Sequence, residues 1–370
     1  MAQHTPEQRL IDIAIPEALL SVVAAHAHDI DCGDQTTRQV LSDVATAGLA
    51  DLGARSDETT LLEQAAVIEA LAEQSFSTAF SLWCHRMCIE YLCIARGAYA
   101  DELLPKLAAG QLVGSSAMAP GFKYAAGLGE LSLRVHYAAN GQPSLSGRLA
   151  WASNLFADTI LFAPAYGPST TSAPVIVALP VSSDGVQVGP ELDLLALRGT
   201  ASTSVTMDNV PLRQEQILTE DFDTFLGSAR PVLSLLQASF CLGLATESYR
   251  QTRAQVSGLN AVFAPELEQL ADKLGQVKQQ FVELATALGT GDAPAAARLL
   301  GVRLEAGMLA KELTRLETMT AGSRGFITTS AVNRRYREAT FIPLQAPSEA
   351  QLRAELAGID ANVTRHSQSR

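Results

Sequence analysis

The sequence predicts a mostly helical α+β fold in which one β segment separates two helical segments. Up to about residue 112, apolar side chains recur every three or four residues, as in Leu19-Leu-Ser-Val-Val-Ala-Ala, which is the spacing of helices. From residue 114 to about 222 the period becomes two, in short apolar runs divided by Gly, Pro, Ser and Asn. Such runs, with no helices between them, indicate an antiparallel barrel or sandwich. The helical period then returns.

These changes of period predict the domain organisation. We expect a helical domain at residues 1–112, a central β domain at 113–222, a C-terminal four-helix bundle at 223–358 and a polar tail at 359–370. Candidate strands cover residues 131–137, 159–165, 175–179 and 203–207, and candidate C-terminal helices cover residues 231–249, 265–288, 293–319 and 348–358. Near the N-terminus, a further helix with acidic residues in its first turn is expected to start at Asp57-Glu-Thr-Thr-Leu-Leu-Glu.

A predicted hairpin stands at the centre of the β segment. Its first strand is Leu131-Ser-Leu-Arg-Val-His-Tyr, its turn is Asn140-Gly141, and its second strand lies in Leu145-Ser-Gly-Arg-Leu-Ala-Trp-Ala-Ser-Asn-Leu-Phe. Asn-Gly tolerates the positive φ angles of a tight hairpin turn. Because side chains alternate along a strand, Trp151 and Ser153 are expected on the same face of the sheet.

Composition excludes several classes of function. The net charge of −12, with 27 Lys and Arg against 39 Asp and Glu, argues against a nucleic-acid-binding surface, which needs clustered basic residues. We expect no membrane span, since the longest apolar runs have strand length, and no secretory signal, since the chain opens with polar residues. Five cysteines in 370 residues are too few for a disulfide framework, which favours the reducing cytoplasm.

Four local patterns, at residues 145–156, 192–212, 321–326 and 333–339, together resemble the acyl-CoA dehydrogenase superfamily. The strand with Trp151 is similar to that family's "lsG.k.W.tN", and residues 192–212, LDLLALRGTASTSVTMDNVPL, are similar to "GlRgs.t..v.fddV.vP". Ala321-Gly-Ser-Arg-Gly-Phe resembles "fGG.Gf", and Asn333-Arg-Arg-Tyr-Arg-Glu-Ala resembles "eR.yRDa". They occur in the family's order across nearly the whole chain, and the order of helical and β segments is also the family's.

The resemblance implies a flavin between the β domain and the C-terminal helices, where the cofactor performs the redox chemistry and the protein orients it. It implies FAD, with FMN or an exchangeable reduced flavin as alternatives. Trp151 would cover the flavin ring and Ser153 would form a hydrogen bond near its N5 edge. Ser116 and Met118 match the strand that ends in "TEP" and would line the pyrimidine end. Gly322 and Ser348 are also assigned to the cofactor, and Arg230 to the substrate.

Two features of the family are absent. The usual catalytic carboxylate, eight residues beyond the position of Glu338, is replaced by Ala346, and the carboxylate that a minority of members use beside Arg230 is replaced by Ala229. The "R..FG" and "HQ" motifs, which hold the adenine half of FAD across a subunit interface, are also missing, with Ala264 at the glutamine position. No catalytic residue is therefore assigned.

Other candidate sites have simpler interpretations. Glu349 could serve as a displaced base, but an acid that follows Ser348 at the start of a helix is typical of a capped first turn. Cys84, His85, Cys88 and Cys93 lie in one predicted helix, which favours a buried helix face over a metal site; His85 could alternatively face substrate. Nucleophile-elbow and glycine-rich phosphate-loop sequences are absent.

The sequence therefore predicts a flavin-dependent oxidoreductase that lacks the usual catalytic Glu, with three alternatives for its activity. The first is a divergent acyl-CoA dehydrogenase. The second is a two-component monooxygenase that uses reduced flavin and oxygen. The third is a non-catalytic relative that binds an acyl-CoA or another partner. The expected partners are a small-molecule substrate such as an acyl-CoA, a flavin reductase or electron-transfer protein, and further copies of the chain in a homodimer or homotetramer.

Overall fold

The computed structural model describes residues 5–54, 58–169, 172–291 and 294–368, with side chains as far as residue 359. Helices come first along the chain, two small sheets follow, and helices return. The helices before the sheets are α1 (Glu17–Cys32), α2 (Arg38–Thr46), α3 (Leu61–Gln74), α4 (Phe76–Ala95) and α5 (Ala98–Ala108). The β segment holds β1 (Val113–Ser116), α6 (Ala119–Ala125), β2 (Leu133–Tyr137), β3 (Pro143–Ala152), β4 (Thr159–Ala165), β5 (Val175–Pro180), β6 (Val186–Val188), β7 (Thr203–Pro211) and β8 (Ile217–Thr219). The later helices are α7 (Phe222–Arg253), α8 (Ala264–Gly289), α9 (Ala296–Ala321), α10 (Ala331–Ala339) and α11 (Glu349–Gln368). The predicted fold class, helical segments on either side of a β segment, is confirmed.

The chain forms two compact units, each assembled from separate stretches of sequence. The β-rich unit contains residues 29–59 and 80–232, and the helical unit contains residues 1–28, 60–79 and 233–370. Three helices, α1, α4 and α7, contribute residues to both units. The predicted division by sequence segment into three domains stays a prediction.

The β-rich unit contains two four-stranded sheets, ordered β1-β4-β5-β8 and β2-β3-β7-β6. The sheets share one apolar core, so the arrangement is a sandwich rather than a closed barrel. The core draws alternate side chains from both sheets, namely Leu133, Val135, Leu145, Leu149, Leu161, Ala163, Val177, Leu179, Val205 and Met207.

Two details of the β segment differ from the sequence prediction. The strands β1 and β4 pair in parallel, because the 42 residues between them contain the β2–β3 hairpin and the helix α6, which is enough chain for a crossover. The short helix α6 was not predicted; it starts next to Pro120, and proline is favoured in the first turn of a helix. The predicted hairpin is present, with Tyr137 opposite Pro143. In its turn Gly141 has a positive φ, but Asn140 does not.

The helical unit is built on contacts between long apolar helices. Phe76 and Phe240 pack edge to face with ring centroids 5.1 Å apart, a favourable aromatic geometry. A fully buried ion pair joins α3 to α8, since the ammonium of Lys278 lies 3.0 Å from the carboxylate of Glu69. That carboxylate also accepts a hydrogen bond from the backbone N–H of Leu10 at 2.8 Å. Buried charges of this kind require such partners.

Helix ends were predicted less accurately than helix centres. The helix expected near Asp57 is α3, which begins at Leu61 with Thr60 and Glu63 in a capping box; Asp57 lies outside the described residues. The last helix, α11, extends to Gln368 instead of ending near Gly358. Helix α10, which has a capping bond from Ser330, was not predicted as a helix.

The helix α7 is unusually long and apolar. Among the described residues, α7 is long and apolar enough to cross a membrane by those criteria alone, although the sequence prediction found no such run. However, 78% of its most apolar window is buried in the structure. Burial of this extent is also what a core helix shows, so α7 is weak evidence for a membrane span.

Candidate functional site

Trp151 lies in a β-bulge near the end of β3. The register between β3 and β7 pairs Leu149 with Val205 and Ala152 with Thr203, so β3 has one extra residue over this interval. A bulge of this kind interrupts alternation and redirects side chains. Leu149 and Ala152 are buried, and the indole of Trp151 is 46% exposed. A large aromatic ring is thus presented on the surface of the β-rich unit instead of filling its core.

Ser153 does not share that exposed face. The strand β3 ends at Ala152, and the bulge breaks the alternation on which the one-face expectation depended. Ser153 is only 5% exposed, and its Oγ accepts a hydrogen bond from Oγ of Ser202 at 2.7 Å. Its carbonyl oxygen accepts another from Oγ of Ser115 at 2.5 Å. Trp151 and Ser153 are therefore close in sequence but lie in different environments in the structure.

Asn154 fixes the turn that follows Ser153. Its backbone is left-handed, with φ of 60°, a conformation that Asn adopts more readily than most residues. Its side-chain amide donates to the carbonyl oxygens of Ser81 at 2.9 Å and Gly114 at 3.2 Å, and its backbone N–H donates to Thr200 at 2.8 Å. The side chain of Asn154 thus connects α4 to β1, and its backbone connects both to the loop before β7.

Ser116 and Met118 differ in exposure and position. Ser116 is the last residue of β1, and its Oγ lies 2.9 Å from the hydroxyl of Tyr91, whose pKa is raised well above its ordinary value by burial. Met118 lies beyond the strand, where it caps α6, and is 1% exposed. The expectation that both residues sit on one strand is wrong for Met118, because the chain turns into α6 after Ser116.

The remaining predicted site residues are distributed over both units. Arg230 lies on α7, half-buried, in the β-rich unit, next to the fully buried Ala229. Gly322 and Ser348 belong to the helical unit. Gly322 ends α9 with φ of +59°, and Ser348 accepts a hydrogen bond from the backbone N–H of Gln351 at 3.3 Å, as a helix cap does.

Glu349 forms two ion pairs. Its carboxylate lies 2.6 Å from the ammonium of Lys311 and 2.8 Å from the guanidinium of Arg353. The hydrogen bonds from Lys311 and Arg353 lower the pKa of Glu349, although partial burial opposes them. A carboxylate with a lowered pKa is a weaker base, so this geometry favours the helix-capping interpretation over the catalytic one.

The cysteine-rich helix has a structural role. Cys84 and Cys88 are buried, and burial raises the pKa of the Cys84 thiol to about 12. His85 is buried too; its Nε2 lies 3.1 Å from the carbonyl oxygen of Leu107, and its Nδ1 accepts from the backbone N–H of Gly114 at 3.0 Å. Burial lowers the pKa of His85 to about 4, so its ring is neutral and both nitrogens are engaged. Among the residues that the structure describes, no group of three or more His, Cys, Asp or Glu side chains could hold a metal ion.

Sequence reasoning missed Thr200 and Ser202. Both lie in the hydroxyl-rich run Gly199-Thr-Ala-Ser-Thr-Ser, and both are buried next to Ser153. A run of small hydroxyl residues before a strand is the only signal that could have drawn attention to them.

The chain is similar in structure to several solved proteins. These include a glutaryl-CoA dehydrogenase from Mycobacterium smegmatis in complex with FADH2, at 15% identity and a TM-score of 0.80 over 94% of this chain and 96% of that one. KijD3, in complex with FMN and a dTDP-glucose derivative, matches at 16% identity and a TM-score of 0.82 over 98% and 97% of the two chains. The dibenzothiophene monooxygenase TdsC from Paenibacillus sp. A11-2 matches at 16% identity and a TM-score of 0.72 over 93% and 95%.

Two comparisons of the amino-acid sequence with known proteins found no match. No family model matches the chain, and no curated protein matches it. The similarity therefore resides in the fold, which these chains share over nearly their whole length at identities too low to carry function.

Proposed function

We propose that this chain, which has the acyl-CoA dehydrogenase fold, is a flavin-dependent oxidoreductase. The single observation that carries the proposal is the bulge that exposes the indole of Trp151 at the end of β3. An exposed indole in this position offers a flat apolar face to a ring system. The flavin, when bound, would supply the redox chemistry, and the chain would orient it and exclude water.

The donor set of the β-rich unit fits a flavin ring. Oγ of Ser153 accepts a hydrogen bond from Ser202. Among the described residues the Ser153 hydroxyl donates no hydrogen bond of its own, so it can donate one to a ring nitrogen. Ser116 provides a second hydroxyl at the end of β1. We therefore propose Trp151, Ser153, Ser116 and Met118 as cofactor contacts in this unit. The assignment of Gly322 and Ser348 to the cofactor stays a prediction from the sequence resemblance. Arg230 is proposed to bind the substrate.

The identity of the flavin depends on how the adenine half is held. Near the missing "R..FG" motif, Arg250 lies 3.0 Å from the carboxylate of Glu73 and Arg253 lies 2.5 Å from that of Glu7. These arginines already have acidic partners within the helical unit, which disfavours them as ligands of a pyrophosphate. FMN, the flavin named in the KijD3 complex, therefore remains an alternative to FAD.

We propose two-component monooxygenation as the second candidate activity. The observation that favours it is that none of the three candidate positions for the base offers a free carboxylate. Ala346 and Ala229 occupy the two base positions, and Glu349 is held in ion pairs. A monooxygenase supplied with reduced flavin needs no carboxylate to remove an α proton, and a flavin reductase would then be its partner. A dehydrogenase would instead need an acyl-CoA substrate and an electron-transfer partner.

A flavin titration followed by two reaction assays tests these proposals. We expect saturable changes in the visible absorption spectrum on adding FAD, FMN or reduced FMN to the purified protein. Bleaching of bound flavin by an acyl-CoA under nitrogen would support the dehydrogenase. Slower oxidation of reduced flavin by oxygen in the presence of the protein would support the monooxygenase. A protein that binds none of these flavins would instead be a non-catalytic relative.

Assembly and location are further proposals. A homodimer or homotetramer is favoured by apolar side chains that are exposed in the helical unit, namely Leu259, Val262, Phe326 and Ile327. A reducing cytoplasm suits the five cysteines, which the structure shows as thiols and not as disulfides.

A further inference from the structure

Three hydroxyl groups form a buried chain beside the end of β3. Ser202 donates a hydrogen bond to Oγ of Ser153 at 2.7 Å. Oγ1 of Thr200 lies 2.7 Å from Oγ of Ser202 and also donates to the carbonyl oxygen of Leu197 at 2.7 Å. The three hydroxyl residues are between 0% and 6% exposed, so the chain is shielded from solvent.

The number of hydroxyl protons determines which residue donates each hydrogen bond in this chain of hydroxyl groups. Each hydroxyl has a single proton to donate. The proton of Ser202 is used on Ser153, so the contact between Thr200 and Ser202 requires the proton of Thr200, which is shared with the Leu197 carbonyl. That carbonyl also accepts from the backbone N–H of Thr200 at 3.1 Å, so it stays bonded when the hydroxyl turns to Ser202. Thr200 thus donates a hydrogen bond to Ser202, and Ser202 donates one to Ser153.

The direction of these hydrogen bonds determines whether Ser153 acts as a donor or as an acceptor toward a ligand. Ser153 accepts from Ser202, and within the described residues its own hydroxyl donates no hydrogen bond. A buried donor without an acceptor is unfavourable. A ligand atom with a lone pair would remove that cost, and successive hydrogen bonds in a chain strengthen one another.

We propose that Thr200 and Ser202 hold Ser153 as a hydrogen-bond donor, so that the site prefers oxidised over reduced flavin. This inference rests on the proposed function. N5 of an oxidised flavin presents a lone pair, whereas N5 of a reduced flavin carries a proton and needs an acceptor. Thr200 and Ser202 are positioning residues, because they act on the cofactor through Ser153.

The experiment compares the affinities of the two redox states in the wild type, in variants of Ser202 and Thr200, and in a variant of a neighbouring control residue. Dissociation constants are measured by fluorescence titration for oxidised flavin in air and for dithionite-reduced flavin under nitrogen. The flavin used is FAD or FMN, whichever the wild type binds more tightly. The variant is Ser202→Ala. The control is Thr203→Val, since Thr203 lines the same cavity of about 250 Å³ as Ser202 but donates to the carbonyl of Pro190 at 2.6 Å, outside the hydroxyl chain.

Wild-type protein should bind oxidised flavin more tightly than reduced flavin. Ser202→Ala should reduce that preference by about fivefold, which corresponds to one neutral hydrogen bond, and Thr203→Val should leave it unchanged. Thr200→Val should act in the same direction as Ser202→Ala, and Thr200→Ser should restore the wild-type preference; this pair also serves if Ser202→Ala does not fold.

Two outcomes would overturn the proposal, and they are distinguishable. Flavin binding by the wild type with the same redox preference in Ser202→Ala and Thr200→Val would refute the hydroxyl chain and leave the proposed function standing. Absence of binding to either redox state by the wild type would refute the proposed function, and this inference with it.

Discussion

Leu149 and Trp151 are two positions apart on one strand, yet Leu149 is 2% exposed and Trp151 is 46% exposed. Regular alternation would direct both side chains into the sandwich core. The extra residue of β3 between Leu149 and Ala152 separates them, because a bulge redirects the side chains that follow it. The local irregularity therefore turns a potential core residue into a surface one.

This arrangement predicts the fluorescence of the two tryptophans. Trp83→Phe leaves Trp151 as the sole tryptophan, which should emit at long wavelength and be readily quenched by acrylamide. Trp151→Phe leaves Trp83, which is 5% exposed and stacked on Phe80 with centroids 5.5 Å apart, and should emit at shorter wavelength with little quenching. Equal quenching of the two variants would refute the exposure of Trp151.

The sequence predicted the order of helices and strands because that order follows from the period of apolar residues, which is a local property. The strand at residues 159–165 was predicted with its observed bounds, since each of its residues is buried and apolar or small. The bulge could not be predicted, because it depends on the register between β3 and β7, whose sequences are about 50 residues apart. The hydroxyl chain of Thr200, Ser202 and Ser153 was missed for the same reason.

A second prediction concerns His85 and pH. Its folded pKa of about 4 lies below the ordinary value of 6.5, so the folded state binds fewer protons between these values than the unfolded state does. The stabilisation by neutral His85 is complete above about pH 6.5 and is lost as pH falls toward 4. From pH 7 to 4.5 this loss should be about 2–3 kcal/mol of unfolding free energy.

Urea unfolding of wild type and His85→Gln at both pH values measures this contribution. Glutamine can still accept from Gly114 and donate to Leu107, so the variant is expected to fold and to lose about 2–3 kcal/mol less than wild type on acidification. His136→Gln, at an exposed position on β2, is the matched control and should retain the wild-type loss. An equal loss in His85→Gln and wild type would contradict the assignment.

A third prediction concerns Glu349. Because its pKa is lowered, its contribution to stability is present above pH 4.5 and disappears as pH falls below that value. Glu349→Gln should therefore cost less than about 1 kcal/mol of unfolding free energy at pH 7. Flavin binding and any turnover should remain within about twofold of wild type. A fall of a hundredfold or more in turnover with binding intact would identify Glu349 as the general base.

A fourth prediction concerns assembly. Leu259 and Phe326 are 88% and 90% exposed, and their segments are joined by hydrogen bonds from Asn260 to Thr320 and from Arg324 to Gln255. Light scattering should show a dimer or tetramer for wild type and a smaller species for Leu259→Glu with Phe326→Glu, because charges in an apolar interface are unfavourable. Leu128→Glu, at a half-exposed position of the β-rich unit, is the control. A monomeric wild type would refute the proposed assembly.

The affinity of the Trp151→Ala protein for flavin tests the central claim most directly. The dissociation constant of the flavin that wild type binds most tightly is measured by calorimetry for wild type, Trp151→Ala and the control Trp83→Phe. Stacking of an aromatic side chain on a ligand ring contributes about 1–3 kcal/mol, so Trp151→Ala should bind about tenfold or more weakly, while Trp83→Phe binds as wild type does. Equal affinity of Trp151→Ala and wild type, or no flavin binding by wild type, would contradict the proposal that Trp151 contacts a flavin.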